Sequence, residues 1–170
     1  MPIWRTSDDI RSEKIRGFEA YWRERAAPDI AAPLRREIDP NDLRALLPHI
    51  VIVDFQAAPL CVRYRLIGTK VVDISRLDFT GKTLEECEFQ AADPTVWRRA
   101  YEEIAATGAP VFGRVEIPLD GDPERAVVEE FGIFPLSHDG SAIHQCIAVE
   151  DYGAADPFIA PEKIRPMKVR

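Results

Sequence analysis

The sequence is poor in cysteine, and its three cysteines, Cys61, Cys87 and Cys146, lie far apart in the chain. Their odd number and the lack of a CxxC pair argue against a disulfide framework or a zinc knuckle, and they fit a reducing compartment. No run approaches the roughly 18 apolar residues that a membrane span requires, and the N-terminal stretch has no apolar segment typical of a signal peptide. We therefore expect a cytoplasmic, soluble protein.

A surplus of basic residues is also absent. The chain has 22 Lys and Arg against 29 Asp and Glu, which gives a formal net charge of -7 at pH 7. Such a charge repels nucleic acid and anionic membrane surfaces, so we expect neither as a partner, and any phosphate site has to be local. The length of 170 residues and the apolar fraction of 46% are normal for one globular domain.

Signatures of catalysis and metal binding are missing as well. The stretch "TGKT" resembles the end of a P-loop, but that motif needs a glycine where this chain has Arg76. No GxSxG elbow is present, and no cysteine has a histidine placed by a recognisable local motif. His144 and Cys146 are two residues apart on a predicted strand, but zinc needs three or four ligands and a third is not visible. We predict no catalytic residues and no metal site.

The sequence does contain an orderly series of helices and strands. After an N-terminal helix, "IDPNDLRALLPH" is predicted as a compact helix capped by Asp39, and "HIVIVDFQ" with "LCVRYRLIG" as a hairpin. A short helical insert and the long helix "DPTVWRRAYEEIAATG" follow, and then a meander of "APVFGRVEIPL", "ERAVVEEFGIFPL" and "SAIHQCIAVEDY". This order predicts an α+β domain with a five-stranded, mostly antiparallel sheet, helices on one face and an extra N-terminal helix.

The stretch "RYRLIGTKVVD" allows two interpretations. Gly68–Thr69 at a helix start could hold an anion between free N–H groups. Alternatively, Arg63 and Arg65 form the solvated face of a strand, where their stems cover apolar groups and their charges pair with Asp54 or Glu129. We favour the strand interpretation, because a lone glycine motif is weak evidence for a phosphate site.

Three motifs together carry a family resemblance. The stretches "YWRERAAPDIAAPLRREIDPNDLRALLPHIVIVDF", "VRYRLIGTKVVDISRLDFTGKTL" and "FPLSHDG" resemble bacterial stand-alone PAS domains, from about Tyr21 to Val149. The chain departs from the family after "YWRER", where a linker rich in glycine and arginine is usual. The residues that carry the resemblance most specifically are Arg63, Tyr64, Arg65, Gly68, Thr69 and Gly81.

The resemblance implies five antiparallel strands, a cluster of short helices and one longer helix that frames a cleft. Aromatic residues on the long helix and the late strands are then candidates for the wall of a ligand pocket: Trp97, Tyr101, Phe112, Phe131 and Phe134. The alternative is that these side chains only fill a core, as apolar residues at periodic positions usually do.

The N-terminal helix has an apolar stripe of Ile15, Phe18 and Trp22 on an otherwise charged surface. The stripe either docks on the sheet of its own domain or joins a second copy or another partner, and we favour a dimer or a partner because such a stripe needs a cover. We predict three parts: an amphipathic helix at 1–26, a PAS domain at 27–152, and a C-terminal tail at 153–170 that is disordered or laid over a neighbouring surface.

PAS domains generally serve as sensory or protein-interaction modules in bacterial signalling, and most are not enzymes. The resemblance therefore implies a regulatory module without catalytic activity that acts on a signalling partner, for which a small-molecule ligand is a candidate. The apolar stripe of the N-terminal helix adds the expectation of a homodimer. The alternative is a redox sensor or enzyme that holds haem, flavin or metal in the same cleft. Flavin photochemistry through Cys87 is not favoured, because its acidic neighbours in "EECEFQ" raise the pKa of its thiol.

Overall fold

The fold is built on one large antiparallel sheet. The computed structural model describes residues 2–88, 91–119, 122–153 and 168–169, with the backbone alone at 119, 122–125 and 168–169. The strands are β1 (Ile3–Trp4), β2 (Ile50–Gln56), β3 (Cys61–Ile67), β4 (Cys87–Glu88), β5 (Val111–Leu119), β6 (Asp122–Leu136), β7 (Gln145–Asp151) and β8 (Lys168–Val169). The α-helices are α1 (Glu13–Arg23), α2 (Thr69–Ser75) and α3 (Val96–Thr107), and short 3-10 turns occupy Arg35–Glu37, Leu47–His49 and Leu84–Glu86.

The strand order in the sheet is β1-β5-β6-β7-β2-β3, and every neighbouring pair is antiparallel. The predicted hairpin is the β2-β3 pair, and the predicted meander is β5-β6-β7, so both are confirmed. The sheet has six strands rather than five, because Ile3 and Trp4 pair with Gly113 and Phe112 at the edge of β5. A separate two-stranded ladder joins β4 to β8.

Both faces of the sheet are buried. Because side chains alternate along a strand, odd and even positions of β6 enter different layers. Phe131 and Ile133 pack with α2 and α3 on what we call the α3 face. Phe134 and Leu136 pack with α1 on the opposite side, the α1 face. The extra N-terminal helix thus covers the face that the other helices leave open.

The apolar stripe of α1 lies inside this second layer. Ile15 and Phe18 are fully buried, and Trp22 is 9% exposed. The Trp22 indole Nε1 donates a hydrogen bond to the Pro135 carbonyl at 2.8 Å, and the ring of Phe18 meets Phe134 edge-on at 4.9 Å. Of the two alternatives for this stripe, the structure shows docking on the chain's own sheet. The expectation that these three residues face a dimer partner is wrong, since none is exposed.

The stretch after residue 38 is not the predicted compact helix. Residues 40–46 form successive turns, followed by the 3-10 turn Leu47–His49. Asp39 does not cap a helix, because its Oδ1 accepts from the backbone N–H of Asn41 in a local turn. Most backbone bonds here reach the third residue back, such as Leu46 N to Leu43 O at 2.8 Å. Prolines at both ends, Pro40 and Pro48, leave too little chain for an α-helix to extend.

The long helix α3 begins and ends near the predicted signals. Asp93 and Pro94 precede it, and Gly108 ends it with a φ of 68°, a left-handed conformation that favours glycine. Val96, Ala100 and Ile104 on one side of α3 are fully buried against the sheet. No helix among the described residues is long and apolar enough to cross a lipid bilayer.

Of the predicted C-terminal tail, only residues 153 and 168–169 are among the described residues. The last two form β8, in which Val169 pairs with Cys87 and Lys168 with Glu88. The prediction of a disordered or overlying tail at 154–167 lies outside the described residues. The predicted boundaries at 26 and 152 stay a prediction.

Candidate functional site

Two acidic side chains lie on the α3 face of the sheet. Glu129 of β6 shares its parity with Phe131, and Glu150 of β7 shares its parity with Cys146, both of which pack in this layer. In the register of these strands Phe131 is opposite Glu150, so Glu129 lies diagonally across from Glu150. Diagonal positions on neighbouring strands are within reach of long side chains. The fold therefore brings two carboxyl groups together under α3.

Glu129 is the more deeply buried of the two. Its residue is 2% exposed, and its Oε1 has no hydrogen-bond partner among the described residues. Loss of solvation raises the pKa of Glu129 well above its ordinary value, the negative charge of Glu150 raises it further, and a hydrogen bond from the Trp97 side chain acts in the opposite direction. Burial and the charge of Glu150 both favour the protonated form of the Glu129 carboxyl over its charged form.

Glu150 keeps a small exposed fraction and one direct partner. The Tyr152 hydroxyl donates to its Oε2 at 2.6 Å. Burial raises the pKa of Glu150 to about 7, and the hydrogen bond from Tyr152 works against that rise. A carboxyl group with this pKa exchanges its proton within the physiological range.

Tyrosines surround the pair, and among the described residues no cation acts on its two carboxyl pKa values. The charges of Glu129 and Glu150 both raise the pKa of Tyr64 and of Tyr152, and Glu150 also raises the pKa of Tyr101. The groups that act on the two carboxyl pKa values are each other, Trp97 and Tyr152, and none of these is a cation. Two neighbouring carboxyls in such surroundings favour their protonated forms and are complementary to a proton or to a small hydrogen-bond donor.

The predicted pocket wall is divided by the sheet. Tyr101 and Phe131 are buried on the α3 face, and Trp97 packs against the same layer. Phe112 and Phe134 lie on the α1 face instead, where they meet edge-on at 5.6 Å. Their assignment to one pocket with the other three is therefore wrong. The reason is strand parity, since residues 131 and 134 of one strand cannot point to the same side.

Sequence reasoning missed the carboxyl pair, although a signal for it exists. The two strands contain consecutive acids, "EE" at 129–130 and "ED" at 150–151. In a strand buried on both faces, two consecutive acids place one carboxyl in each layer. The prediction placed helices on one face only, which leaves no buried layer for the second acid of each stretch.

Glu130 and Asp151, the second acids of these two stretches, bind the start of α1. Glu130 and Asp151 are directly opposite in the register. Glu130 Oε2 accepts from the backbone N–H groups of Arg11 at 2.9 Å and Ser12 at 2.8 Å, and its other oxygen is paired with Arg114. Asp151 accepts from the Ser12 hydroxyl at 2.6 Å and from Lys14 Nζ at 2.9 Å. We call Glu130 and Asp151 with these partners the α1 clamp.

The arginines of the family motif lie on the exposed side of β3. Arg65 Nη1 is 3.4 Å from Asp54 Oδ2, which confirms one of the two predicted partners, and Arg63 Nη1 donates to the Gly81 carbonyl at 2.8 Å. Between the two arginines, the backbone of Tyr64 makes two hydrogen bonds to the loop at 81–82. The Tyr64 N–H donates to the Lys82 carbonyl, and the Gly81 N–H donates to the Tyr64 carbonyl. Motif residues 63–65 and 81 therefore hold the edge of the sheet together.

Gly68 is required by close packing rather than by an anion. A Cβ at this position would lie 2.3 Å from the Pro48 carbonyl oxygen, closer than any real contact. Its N–H donates to the Ile50 carbonyl at 2.7 Å, and Thr69 then opens α2, a helix of seven residues. The N–H that the anion-binding alternative needs at Gly68 is already engaged.

The cysteines and histidines do not converge. Cys146 is fully buried on the α3 face, which raises the pKa of its thiol, and burial raises the pKa of the Cys87 thiol to about 11. Both thiols are therefore protonated and weakly nucleophilic at neutral pH. The rings of His138 and His144 stack at 4.9 Å. Within the described part of the chain, no group of three or more His, Cys, Asp or Glu is placed to hold a metal ion.

The strand order β5-β6-β7-β2-β3, with α2 and α3 inserted between β3 and β5 over one face, defines an α+β domain of the PAS type. The chain belongs to the PAS domain family, whose family model matches residues 10–145. This confirms both the predicted resemblance and the predicted class of fold.

Solved structures with a similar fold include domains of the light-oxygen-voltage type. One is the light-state structure of the blue-light photoreceptor Aureochrome1 LOV (10% identity, 69% of this chain, 90% of that chain, TM-score 0.46). Another is a light-oxygen-voltage domain studied with a flavin analogue (10% identity, 69% of this chain, 85% of that chain, TM-score 0.49). A third is an RNA-binding light-oxygen-voltage receptor (14% identity, 77% of this chain, 38% of that chain, TM-score 0.47). No curated protein matches the chain.

Proposed function

We propose that this chain is a non-catalytic sensory and regulatory module in bacterial signalling. Its sensing site is the part of the α3 face around Glu129 and Glu150, and its output is contact with another protein. The observation that carries the proposal is the carboxyl pair itself, in which Glu129 is 2% exposed and has an oxygen without a hydrogen-bond partner among the described residues.

The pair is costly to the fold, and this supports a role other than packing. Burial of a carboxyl without compensation costs several kcal/mol when it is charged and about 1 to 3 kcal/mol when it is a neutral group without a hydrogen bond. Apolar side chains of similar volume would fill the same space at lower cost. Strongly perturbed carboxyl pKa values are concentrated at functional sites, and here they lie beside Trp97, Tyr101 and Phe131 of the predicted pocket wall.

The chemistry of this face favours a small ligand that donates hydrogen bonds. An amine, an amide or a hydroxyl group would satisfy Glu129 Oε1, and the aromatic side chains would cover its apolar part. Catalysis receives less support, since the buried thiols of Cys87 and Cys146 have raised pKa values and PAS domains are typically sensory. A homodimer remains part of the proposal, but its surface is not the α1 stripe, which the domain itself covers.

A ligand screen by amide NMR tests the sensing site. We expect small amines, amides or hydroxy compounds to shift the signals of residues on the α3 face, and Glu129→Gln to weaken those shifts. Glu116→Gln is the matched control, because Glu116 is an exposed acid whose side chain lies on the other face of β5. Equal responses of wild type and Glu129→Gln to every ligand found would contradict the proposed site.

Three further measurements address the nature of the module. An ultraviolet-visible spectrum of the purified protein with a Soret or flavin band would favour the alternative of a cofactor-binding redox sensor or enzyme. Solution mass, measured by light scattering on the full chain, tests the homodimer. Capture of the protein's binding partners from its native cell, repeated with Glu129→Gln, tests whether output depends on the sensing site.

A further inference from the structure

The neighbouring strands β6 and β7 each contain two consecutive acidic residues. Glu129 and Glu150 enter the α3 face, while the next residue on each strand, Glu130 and Asp151, belongs to the α1 clamp. Only one peptide unit separates each interior carboxyl from its clamp carboxyl. Any displacement of the backbone at 129–130 and 150–151 therefore moves both groups at once.

The α1 clamp determines where α1 begins. Ser12 is the N-cap of the helix, and its hydroxyl both accepts from the Ile15 N–H at 3.2 Å and donates to Asp151. The backbone N–H groups of Arg11 and Ser12 have Glu130 Oε2 as their acceptor. The first turn of α1 is thus held to the sheet by the two strands that carry the interior pair.

We propose that the charge of the Glu129–Glu150 pair controls how firmly the first turn of α1 is held by the α1 clamp. When the pair holds its protons, β6 and β7 lie close together and the clamp is closed. When the pair loses a proton, the buried negative charge draws water toward it, the strands separate slightly at this end, and the hydrogen bonds to Arg11 and Ser12 weaken. This inference rests on the proposed sensing site.

The geometry limits the size of this movement. Ile15, Phe18 and Trp22 are buried in the next turns of α1, so the helix as a whole stays docked. The clamp bonds of 2.6 to 2.9 Å are short and directional, and such bonds weaken with displacements of a few tenths of an ångström. The movable part is therefore the segment 11–14, whose loosening alters the surface offered to a partner.

Other charged and titratable groups face these two sites. On the α3 face they are Tyr64 of β3, Tyr101 of α3 and Tyr152, all with pKa values raised further above neutrality. Arg114 and Lys14 form ion pairs with the clamp carboxylates, and Arg11, Glu13 and Glu116 line the same groove.

His49 is the one competing group in this region that titrates closer to neutrality. Its Nδ1 lies 2.9 Å from the Glu150 backbone carbonyl. Burial is the largest cause that lowers its pKa, and Lys14 and Lys70 lower it further, while its bond to the Glu150 carbonyl and the charge of Asp151 raise it. The net shift lowers the pKa of His49, whereas burial raises the pKa of Glu150, and a variant of His49 separates the two effects.

Amide hydrogen exchange of the full chain, followed by NMR at several pH values from about 6 to about 8, tests the coupling. After correction for intrinsic exchange, we expect the protection of the Arg11 and Ser12 N–H groups to fall about tenfold with rising pH, because opening of the clamp exposes them. We expect this fall to disappear in Glu129→Gln with Glu150→Gln. Glu102→Gln, at an exposed acid of α3 that does not line the groove beside the clamp, is the control and keeps the wild-type response.

Each outcome of this experiment is informative. The proposal is overturned if wild-type protection does not change, if the double variant responds like wild type, or if His49→Gln alone abolishes the response. If the double variant does not fold, Glu150→Gln alone, which keeps an acceptor for Tyr152, gives the same comparison. Carboxyl carbon NMR of the same samples distinguishes a failure of the coupling from a failure of the sensing site. If the pair titrates but the protection of the Arg11 N–H does not change, the coupling alone is refuted. If the pair neither titrates nor binds a ligand, the sensing site is refuted.

Discussion

The stability of this domain should fall as pH rises toward 7, and Glu150 sets the size of the effect. Burial raises the pKa of Glu150 from 4.5 to about 7. A carboxyl whose pKa is higher in the folded state gives stability that is complete below the unfolded pKa and is lost as pH rises through the folded pKa. At about 1.4 kcal/mol per pKa unit, the loss between about pH 4.5 and pH 7 is at most roughly 3 kcal/mol. Glu129, whose pKa is also raised, contributes a loss of the same sign.

The variant Glu150→Gln isolates this contribution. The amide oxygen still accepts the Tyr152 hydrogen bond, but the side chain carries no charge at any pH. Chemical denaturation of both proteins from about pH 5 to about pH 8 gives the free energy of unfolding at each pH. The variant should gain up to roughly 3 kcal/mol relative to wild type over this range. The opposing effect of His49, whose lowered pKa adds stability as pH rises toward 6.5, cancels in the difference.

A flat difference between wild type and Glu150→Gln would refute this reasoning. It would mean that Glu150 is solvated in the folded protein as it is in the unfolded chain. The acids with lowered pKa values do not obscure the result, since Asp151 and Asp139 complete their titration below the range measured. Glu116→Gln should show no comparable gain, because its carboxyl is exposed.

Three further substitutions test the packing. Gly68→Ala should cost about 3 kcal/mol or more in denaturant titrations, since its Cβ meets the Pro48 carbonyl, whereas Gly17→Ala in open space should be neutral or stabilising. Trp22→Ala should lower the free energy of unfolding by about 4 kcal/mol through the cavity it leaves, and light scattering should show no change in oligomeric state. Arg63→Ala should lower the melting temperature only slightly, because an exposed hydrogen bond contributes less than about 1 kcal/mol.

The sequence predicts the local elements of this fold well where the signals are physical and short in range. The Thr83 and Glu86 capping box, the Gly108 stop and the turn after Ser137 all form as their residue types demand. The stretch after Asp39 fails for a local reason too, since its prolines leave room only for turns. Elements whose state depends on a few neighbouring residues can thus be predicted from sequence alone.

The α1 layer could not be predicted in the same way, because its existence depends on contacts between residues more than 100 positions apart. The hydrogen bond from Trp22 to Pro135 and those from Arg11 and Ser12 to Glu130 join the two ends of the chain. An apolar stripe on a helix shows that a cover is needed but does not show which surface provides it. The prediction of a dimer partner for the stripe failed at this step.

The candidate site also depends on the packing of α1 against the sheet. With one face of the sheet open to water, the acids at 130 and 151 would be ordinary surface residues and their neighbours at 129 and 150 would be anomalies. Because α1 closes the second face, all four acids are at least partly buried, and each has to be neutral, paired or clamped. Among the described residues, Glu130 and Asp151 are paired with cations and backbone N–H groups, whereas no cation acts on Glu129 or Glu150. A carboxyl without a cation is the kind that a proton or a ligand can change, so the closure of the fold by α1 is what makes the pair responsive.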